Sequence, residues 1–257
     1  MFQKILIILA VIVTIFTYAN IAKAQVVKDG LISYWSFDSA DTSGKTVKDL
    51  WGNNDGTIEG SAKVVDGKIG EALEFDGKGG YVDCGDDKSI SNFSKAYSIE
   101  FWANFAVASD YPGLFQRGDK TTSSQIEIYL QPAANLTTVH NRDALYYVYW
   151  NPVPLKQWTH IAVIWEKQEW SVYYDGVKQA QTGGGGAAAD PNTGKTCYIG
   201  LGYTDYSMNG IIDEVNIYNR ALSEKEIQQN YKATSNKLAV EALNKLTATW
   251  GQIKSRK

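Results

Sequence analysis

Acidic side chains are the first residues to consider for chemistry, because hydrolysis of a glycosidic bond with retention needs two carboxyl groups about 5.5 Å apart. On one strand that distance requires acids two or four residues apart, so that both face the same side. Glu127 is the single acid in its strand-like run, and Glu100 is followed on its face by an aromatic and an amide side chain. Asp213 and Glu214 are neighbours, which predicts that they point to opposite faces. The sequence therefore contains no carboxylate pair with catalytic spacing.

Nucleophilic catalysis has equally little support. The chain contains two histidines, His140 and His160, and it has no Gly-x-Ser-x-Gly turn. His160 shares a strand face with Ala162 and Ile164, which favours a packed or hydrogen-bonded histidine over a catalytic base. The sequence predicts no catalytic residue and no enzyme activity.

Aromatic and polar side chains in predicted loops are the candidates for ligand binding, since a rigid β scaffold usually displays function on its loops. Sugar rings present apolar C–H faces that stack on aromatic rings, while amides, carboxylates and guanidinium groups bond the hydroxyls. The same residue types suit protein interfaces, and single aromatics often only cover a core. A glycan and an extracellular protein are both open as ligands. The candidate residues are Tyr111, Asn141, Arg142, Trp150, Tyr203, Asp205 and Tyr206.

Two cysteines, Cys84 and Cys197, lie in separate strand-like runs. In an exported chain a disulfide between them could persist, and it would stabilise the fold by on the order of 4 kcal/mol in the chain-entropy account. A bridge requires Cα atoms within roughly 7 Å of each other, a distance that the sequence does not give. Two separate buried thiols are therefore an equal alternative.

The first 24 residues have the three parts of a secretory signal. Lys4 supplies a positive charge, residues 5–19 are almost wholly apolar, and Ala22-Lys23-Ala24 has the pattern of a cleavage site. The apolar run is shorter than the about 20 residues of a spanning helix, so cleavage is favoured over a membrane anchor. We expect a mature chain that begins at Gln25 and is secreted or held at the cell surface, or is periplasmic in a Gram-negative bacterium. No later segment is predicted to span a membrane.

Charge argues against nucleic acid as a partner. The chain has 25 basic and 28 acidic residues and a formal net charge of −3, and loss of the signal removes two lysines and no acid. A nucleic-acid-binding domain usually has a concentrated basic face. Here the notable basic cluster is the short run at residues 254–257.

Alternating apolar residues recur between turn signals through residues 25–232. Sixteen Tyr, eight Trp and eight Phe also suit half-buried strands. Residues 97–105 place five apolar side chains on one face, which predicts a core strand. Residues 158–166 and 169–175, separated by Lys167-Gln168, predict a two-residue hairpin. About a dozen such runs predict an all-β fold of two packed antiparallel sheets.

The first and last strands have their own patterns. Residues 210–218 lead directly into Ser223, which has Glu226 three residues later and so predicts a capped helix. Alternation predicts that one face of the last strand carries Ile211, Asp213, Val215 and Ile217. It predicts that one face of the first strand carries Leu31, Ser33, Trp35 and Phe37.

Several short motifs accompany these strands in a fixed order, and each alone would be a weak signal. They are Tyr34-Trp35-Ser36-Phe37-Asp38, Asn54-Asp55-Gly56-Thr57, Gly70-Glu71-Ala72-Leu73-Glu74-Phe75-Asp76-Gly77, Ser98-Ile99-Glu100-Phe101-Trp102, Trp158-Thr159-His160-Ile161-Ala162-Val163, Tyr173-Tyr174-Asp175-Gly176-Val177 and Tyr198-Ile199-Gly200. Over about residues 30–232 the chain resembles the laminin G-like (LamG-like) jelly-roll domain of the concanavalin A-like lectin and glucanase superfamily. The resemblance implies an antiparallel two-sheet β-sandwich, a short helix after the last strand, and a role in binding or adhesion.

The resemblance also implies a calcium site. In many jelly rolls of this superfamily the first and last strands are neighbours, which would bring Asp38 and Asp213 together as the leading ligands of a structural Ca²⁺. Asn54, Asp55 and the carbonyl of Gly77 are further candidate oxygen donors. The alternative is that these groups bond turn amides without a metal.

The tail falls outside the resemblance. Its apolar side chains follow three- and four-residue spacing, which predicts an amphipathic helix behind a polar hinge at residues 232–236. We expect this helix to be exposed or weakly docked and available to a partner chain or, through its basic residues, to an anionic surface. The alternative is that it docks onto the sandwich itself. The stripe consists of Leu243, Leu246, Trp250 and Ile253.

The sequence thus predicts a signal peptide at 1–24, a LamG-like jelly roll at 25–232 and an amphipathic helical tail at 233–257. The favoured function is a secreted, non-catalytic recognition module for carbohydrate or an extracellular protein. The alternatives are a polysaccharide-active enzyme of the same superfamily and a structural component of a surface assembly.

Overall fold

The computed structural model describes residues 25–91, 96–109, 111–119, 123–132, 136–141, 146–185, 196–202 and 206–233. The predicted signal peptide and the predicted tail helix from residue 234 onward lie outside these ranges. Among the described residues, no helix has the length and apolar character needed to cross a membrane.

The described chain forms two antiparallel sheets, which confirms the predicted β-sandwich; strands are numbered in chain order. Sheet A contains β1 (Leu31–Trp35), β5 (Ala62–Asp66), β6 (Glu71–Asp76), β8 (Ala96–Phe105), β13 (Thr159–Glu166), β14 (Glu169–Tyr174), β15 (Val177–Lys178) and β18 (Asn209–Tyr218). Sheet B contains β2 (Thr42–Ser43), β3 (Thr46–Val47), β4 (Gly56–Glu59), β7 (Tyr81–Asp83), β9 (Gly113–Asp119), β10 (Ser123–Gln131), β11 (Leu136–Asn141), β12 (Tyr146–Pro152), β16 (Gln181–Gly185) and β17 (Cys197–Ile199).

Strand order interleaves distant parts of the chain. Sheet A runs β15-β14-β13-β8-β18-β6-β5, and β1 pairs with β18 on the same side as β6. Sheet B runs β16-β12-β11-β10-β9-β17-β7-β4-β3-β2. The first and last strands are therefore neighbours, as the family resemblance implies.

The main core lies between the two sheets. The apolar face predicted for residues 97–105 is buried there, with each of its five side chains no more than 1% exposed. The predicted two-residue hairpin is also present: Lys167 and Gln168, with φ of 53° and 63°, join β13 to β14. Two successive positive φ values give the tight turn that matches the twist of paired strands.

A β-bulge in β18 changes which side chains face the core. The register shifts between Asp213 and Asn216, and Glu214 has φ of 54°. Because one extra residue interrupts the alternation, Val215 packs in the core together with Ile212, whereas Asp213 lies on the outer side of sheet A. The prediction that Ile211, Asp213, Val215 and Ile217 share a face is therefore wrong.

The same bulge overturns the prediction that Asp213 and Glu214 point to opposite faces. The Tyr34 hydroxyl donates to Glu214, and Tyr34 belongs to a small apolar cluster outside sheet A. A register shift in β1 also moves Leu31 into this outer cluster, away from the core residue Trp35. The predicted shared face of the first strand is therefore broken at its first residue.

Helix α2 (Glu224–Tyr231) begins at the predicted cap, whereas α1 (Lys88–Ser91) is a single turn. The Ser223 side chain accepts the Glu226 amide, and the Glu226 carboxylate accepts the Ser223 amide at 2.8 Å. Asn230 of α2 donates its side-chain amide to the buried Glu100 of β8. Helix α2 therefore closes the outer face of sheet A and keeps Glu100 from water.

Candidate functional site

Two tyrosines stack where β9 begins and β17 ends. Tyr111 precedes β9 with φ of 50°, and Tyr206 follows β17 and is 39% exposed. Their ring centroids are 5.7 Å apart and their planes differ by 26°. Tyr129 of β10 packs edge-on against Tyr111 with a centroid distance of 5.8 Å. Tyr111 and Tyr206, both predicted from the sequence, are called the tyrosine pair below.

Close backbone approach holds the tyrosine pair in place. A Cβ atom added to Gly113 would lie 2.0 Å from the Gly202 amide nitrogen. The Gly202 amide donates to the Tyr206 carbonyl at 3.0 Å, and Leu201 and Ser207 form an antiparallel bridge. A side chain at Gly113 would force the ends of β9 and β17 apart and separate the two rings.

Three further tyrosines continue from the pair across the outer face of sheet B. Tyr147 and Tyr149 flank the core residue Val148 on β12, and their ring centroids are 5.4 Å apart. The register places Tyr149 and Tyr129 opposite the same β11 residue, Thr138. The tyrosine row, defined as Tyr129, Tyr147 and Tyr149, therefore runs from β12 to β10, a distance of about 10 Å at the usual strand spacing.

One carboxylate is buried on this face. Glu127 lies on the same side of β10 as Tyr129 and pairs with Gln116 of β9 and His140 of β11. Residues directly opposite one another on the paired strands β10, β9, β17 and β7 form a row across the sheet. Among the described residues of this row, the acid next to Glu127 is Asp83 of β7, three strands away. That separation is about 14 Å, larger than the roughly 5 to 9.5 Å between the two carboxyl groups of glycosidases.

The described structure places none of the other predicted ligand residues beside the tyrosine pair. The prediction that Trp150 contacts a ligand is wrong. It is 2% exposed and packs in the core, on the same face of β12 as Val148. Asn141 ends β11, where only its backbone is described. Arg142, Tyr203 and Asp205 lie outside the described residues. Sequence reasoning missed the tyrosine row, which the alternation of residues 147–150 could have indicated had Trp150 been assigned to the core.

The predicted metal ligands Asp38 and Asp213 converge on one turn, residues 67–70, between β5 and β6. Asp213 Oδ2 accepts the amides of Lys68 and Ile69 at 2.9 and 3.0 Å, and Asp38 Oδ1 accepts the Glu71 amide at 2.7 Å. Burial, and to a lesser degree the charge of Asp38, raises the pKa of Asp213 to about 7 against the effect of these amides. Asp213 Oδ1 is buried without a partner among the described residues.

The other predicted metal donors belong to different places. The Asn54 side chain bonds Ser33 and Ser89, and Asp55 accepts the Asp49 amide at 2.9 Å. Gly77 follows β6, whose opposite end carries the amide bonded to Asp38, so about 20 Å of extended strand separates it from that carboxylate. The five predicted donors do not form one site.

The two cysteines face each other on neighbouring strands but are free thiols. The Cys84 amide donates to the Cys197 carbonyl at 2.9 Å, and the Cys197 thiol donates to the Ile90 carbonyl at 3.1 Å. Burial raises the pKa of Cys197 to about 12 and that of Cys84 well above its usual value. The disulfide hypothesis is not met, and the alternative of two buried thiols describes the structure.

His160 is packed, as its apolar face neighbours predict. It is 2% exposed, and its ring meets Trp102 in a T-shaped contact at 5.3 Å. Burial lowers its pKa to about 3, so the ring is neutral at physiological pH. Its contacts are those of a core side chain outside sheet A.

The paired first and last strands, the two interleaved sheets and the capped helix define a concanavalin A-like jelly roll. The family model described as Concanavalin A-like lectin/glucanases superfamily (Laminin_G_3) matches residues 76–228, more than half of the chain. The chain belongs to this superfamily. The sequence matches none of the curated proteins with which it was compared.

Solved structures of the same fold include enzymes and binding domains. Domain 4 of AbnA, a GH43 extracellular arabinanase from Geobacillus stearothermophilus solved with arabinotriose, is 24% identical with a TM-score of 0.58, covering 82% of this chain and 99% of that one. Trypanosoma rangeli sialidase is 17% identical with a TM-score of 0.62, covering 80% of this chain and 33% of that one. The binding domain of Paraclostridial Mosquitocidal Protein 1 is 17% identical with a TM-score of 0.61, covering 79% and 52%. The chain thus spans a third of the sialidase, and these identities establish the fold alone.

Proposed function

We propose that residues 25–232 form an exported, non-catalytic domain that binds carbohydrate at the tyrosine pair. The observation that carries the proposal is the stacked arrangement of Tyr111 and Tyr206, held by backbone contacts and continued by the tyrosine row. Flat aromatic surfaces of this length suit several consecutive sugar rings. The arabinotriose complex of the arabinanase domain makes arabinan the first ligand to test.

A panel of arabinan, xylan, mixed-linkage β-glucan and mannan tests the proposal by retention of the mature protein in affinity electrophoresis. Tyr206→Ala should weaken retention by about tenfold, because loss of an aromatic contact at a binding hot spot costs 1 kcal/mol or more. Tyr206→Phe keeps the stacking surface and should stay close to the wild type. Val177→Ala is the matched control, since Val177 is 62% exposed and lies on the edge strand β15. If the wild type is retained and Tyr206→Ala is retained equally well, the tyrosine pair is excluded as the binding site.

The non-catalytic part of the proposal is supported by the distance of about 14 Å between Glu127 and Asp83, the next described acid on the strands paired with β10. It is tested on the same polymers by assaying release of reducing ends. The wild type and Glu127→Gln should both give the blank rate. Release by the wild type that a single Asp or Glu substitution abolishes would make the protein an enzyme.

Asp38 and Asp213 are the residues that would hold a structural Ca²⁺. The buried Asp213 Oδ1 without a partner in the described chain fits either a cation or a proton. A cation there would neutralise the repulsion between the two carboxylates and tie the first and last strands to the turn between β5 and β6. Within the described residues, no three metal-binding side chains cluster, so main-chain carbonyls and water would complete the shell.

Millimolar CaCl2 should raise the melting temperature above its value in EDTA, because a ligand bound only by the native state stabilises it. Asp213→Asn should remove that increase, whereas Asp66→Asn, an exposed acid beside the same turn, should keep it. If the wild type has the same melting temperature in both solutions, Asp213 carries a proton and binds no metal.

A further inference from the structure

A pocket of about 370 Å³ surrounds an exposed tryptophan far from the tyrosine pair. Trp51 is 41% exposed on the loop between β3 and β4, although most tryptophans of the described chain are buried. The volume lies within the roughly 300–1,000 Å³ of small-molecule sites. The residues around it include Ile32, Trp51, Asn53, Asn54, Asp87 and Ser89.

The Trp51 loop is held rigidly in this position. One oxygen of the Asp49 carboxylate accepts the amides of Trp51 and Gly52 at 3.0 and 2.9 Å, and the other accepts the Asn54 amide at 3.0 Å. Gly52 leaves no room for a side chain, since a Cβ atom there would lie 2.3 Å from the Ile32 carbonyl oxygen. The indole ring is therefore presented without the entropy cost of ordering a mobile loop on binding.

The polar groups of the pocket suit hydroxyls. Asp87 Oδ1 accepts the Ser89 amide at 2.8 Å, and this bond lowers the pKa of Asp87, so that the carboxylate is a charged acceptor. Asn53 is exposed beside it and offers both a donor and an acceptor. Among the described residues that line the pocket there is no Lys or Arg, which disfavours an anionic ligand. A flat apolar ring beside an amide and a carboxylate matches an uncharged sugar.

The pocket and the tyrosine pair lie at opposite ends of paired strands. In the β7–β17 pair, Cys84 is opposite Cys197 at one end and Val82 is opposite Ile199 at the other. Asp87 follows the Cys84 end, whereas Tyr206 follows the Ile199 end. These two ends are about 7 Å of extended strand apart, and Asp87 and Tyr206 lie further along the chain beyond them, so one sugar ring cannot occupy both places.

We propose that the Trp51 pocket is a second, independent site for an uncharged sugar residue of a glycan. The domain then engages two segments of one polymer, or two chains, from its opposite ends. This inference rests on the proposed function for the class of ligand, and it adds the site, its residues and the resulting bivalency.

The test uses the mature protein and the same four polymers immobilised on a surface. Trp51→Ala should weaken retention of the bound polymer about tenfold, whereas Trp51→Phe, which keeps a flat ring, should weaken it less than threefold. The single variant Tyr206→Ala should keep some binding, and the double variant with Tyr206→Ala and Trp51→Ala should lose it. Melting temperatures of the Trp51 variants should match that of the Val177→Ala control, because the substituted side chain is exposed.

A second readout follows the indole ring itself. In the Tyr206→Ala background, the trisaccharide of the retained polymer should shift tryptophan emission to the blue, and Trp51→Phe should abolish the shift. If the wild type binds a polymer and Trp51→Ala binds it as strongly as the Val177→Ala control does, the second site is excluded. The proposal for the tyrosine pair is then unaffected. If the wild type retains none of the four polymers, the carbohydrate proposal and the second site both fall.

Discussion

Single buried carboxylates organise whole loops of this domain. Asp49 is 8% exposed and accepts four amides, those of Tyr34, Trp51, Gly52 and Asn54. A charged acceptor that satisfies several amides at once replaces the backbone hydrogen bonds that an irregular loop lacks. The position of the Trp51 ring therefore depends on a residue that does not line the pocket.

Asp49→Ala should lower the free energy of unfolding by about 3 kcal/mol, because it leaves buried amides without an acceptor. Asp49→Asn keeps one acceptor oxygen and should cost less. Urea denaturation measures both effects, with the exposed Asp66→Ala as the control. Equal stability of Asp49→Ala and Asp66→Ala would show that water replaces the carboxylate.

Glu100 makes stability depend on pH. Burial raises its pKa to about 8, opposed by the hydrogen bond from Asn230 and assisted by the charge of Glu226. The folded state therefore keeps the proton over a pH range in which the unfolded chain, with a pKa near 4.5, has lost it. The stabilising contribution of this group is complete below the unfolded pKa and is lost as pH rises through about 8.

Glu100→Gln should remove that pH dependence, because the amide still accepts from Asn230 but does not titrate. The free energy of unfolding of the wild type should fall relative to Glu100→Gln between pH 5 and pH 8, by at most about 1.4 kcal/mol per pH unit. Urea titrations at pH 5, 6.5 and 8 measure the difference, with the exposed Glu169→Gln as control. A constant difference across this range would mean that Glu100 is ionised in the folded protein.

At the scale of elements, alternation and capping signals predict the strands and helix well, whereas bulges escape them. The strand at residues 96–105 and the cap at Ser223 follow directly from local spacing. The bulge at Glu214 does not, because a single residue with positive φ reverses the faces and no local residue type requires it. The sequence did not predict the tyrosine row for a related reason. Tyrosines alternate there with apolar core residues, so both faces of the strand carry aromatic side chains and the pattern does not indicate which face is exposed.

Helix α2 depends on its capping box. Ser223→Ala should lower the free energy of unfolding by about 1 kcal/mol, since it leaves the Glu226 amide without its acceptor. Ser223→Thr keeps the hydroxyl and should restore most of the loss. Thermal unfolding of the three proteins measures the effect. If Ser223→Ala matched the wild type, tertiary contacts alone would fix the start of α2.

At the scale of the molecule, the two ends of the jelly roll close on each other. The Val27 amide donates to Asn230 Oδ1 at 2.7 Å, and the Tyr218 hydroxyl donates to the Val27 carbonyl at 3.0 Å. Val27 also packs in the apolar cluster outside sheet A with Ile227 of α2. The segment before β1 is therefore part of the fold. At the other end of the described chain, Ala233 is the last buried residue, with 6% of its surface exposed.

Truncation at either end should consequently have opposite results. Removal of residues 234–257 should change the melting temperature by less than about 2 °C, because the hydrogen bonds and apolar contacts described for α2 involve residues before that point. Removal of residues 25–29 should lower the free energy of unfolding by about 2–3 kcal/mol, since Asn230 Oδ1 loses its donor and the buried Tyr218 hydroxyl loses its acceptor. Val27→Ala is the intermediate control, because it keeps both backbone hydrogen bonds.

Limited proteolysis of a protein made of residues 25–257 should cut near residues 232–236 and leave the remainder folded. Resistance to cleavage there, or unfolding after loss of residues 234–257, would place the tail inside the fold.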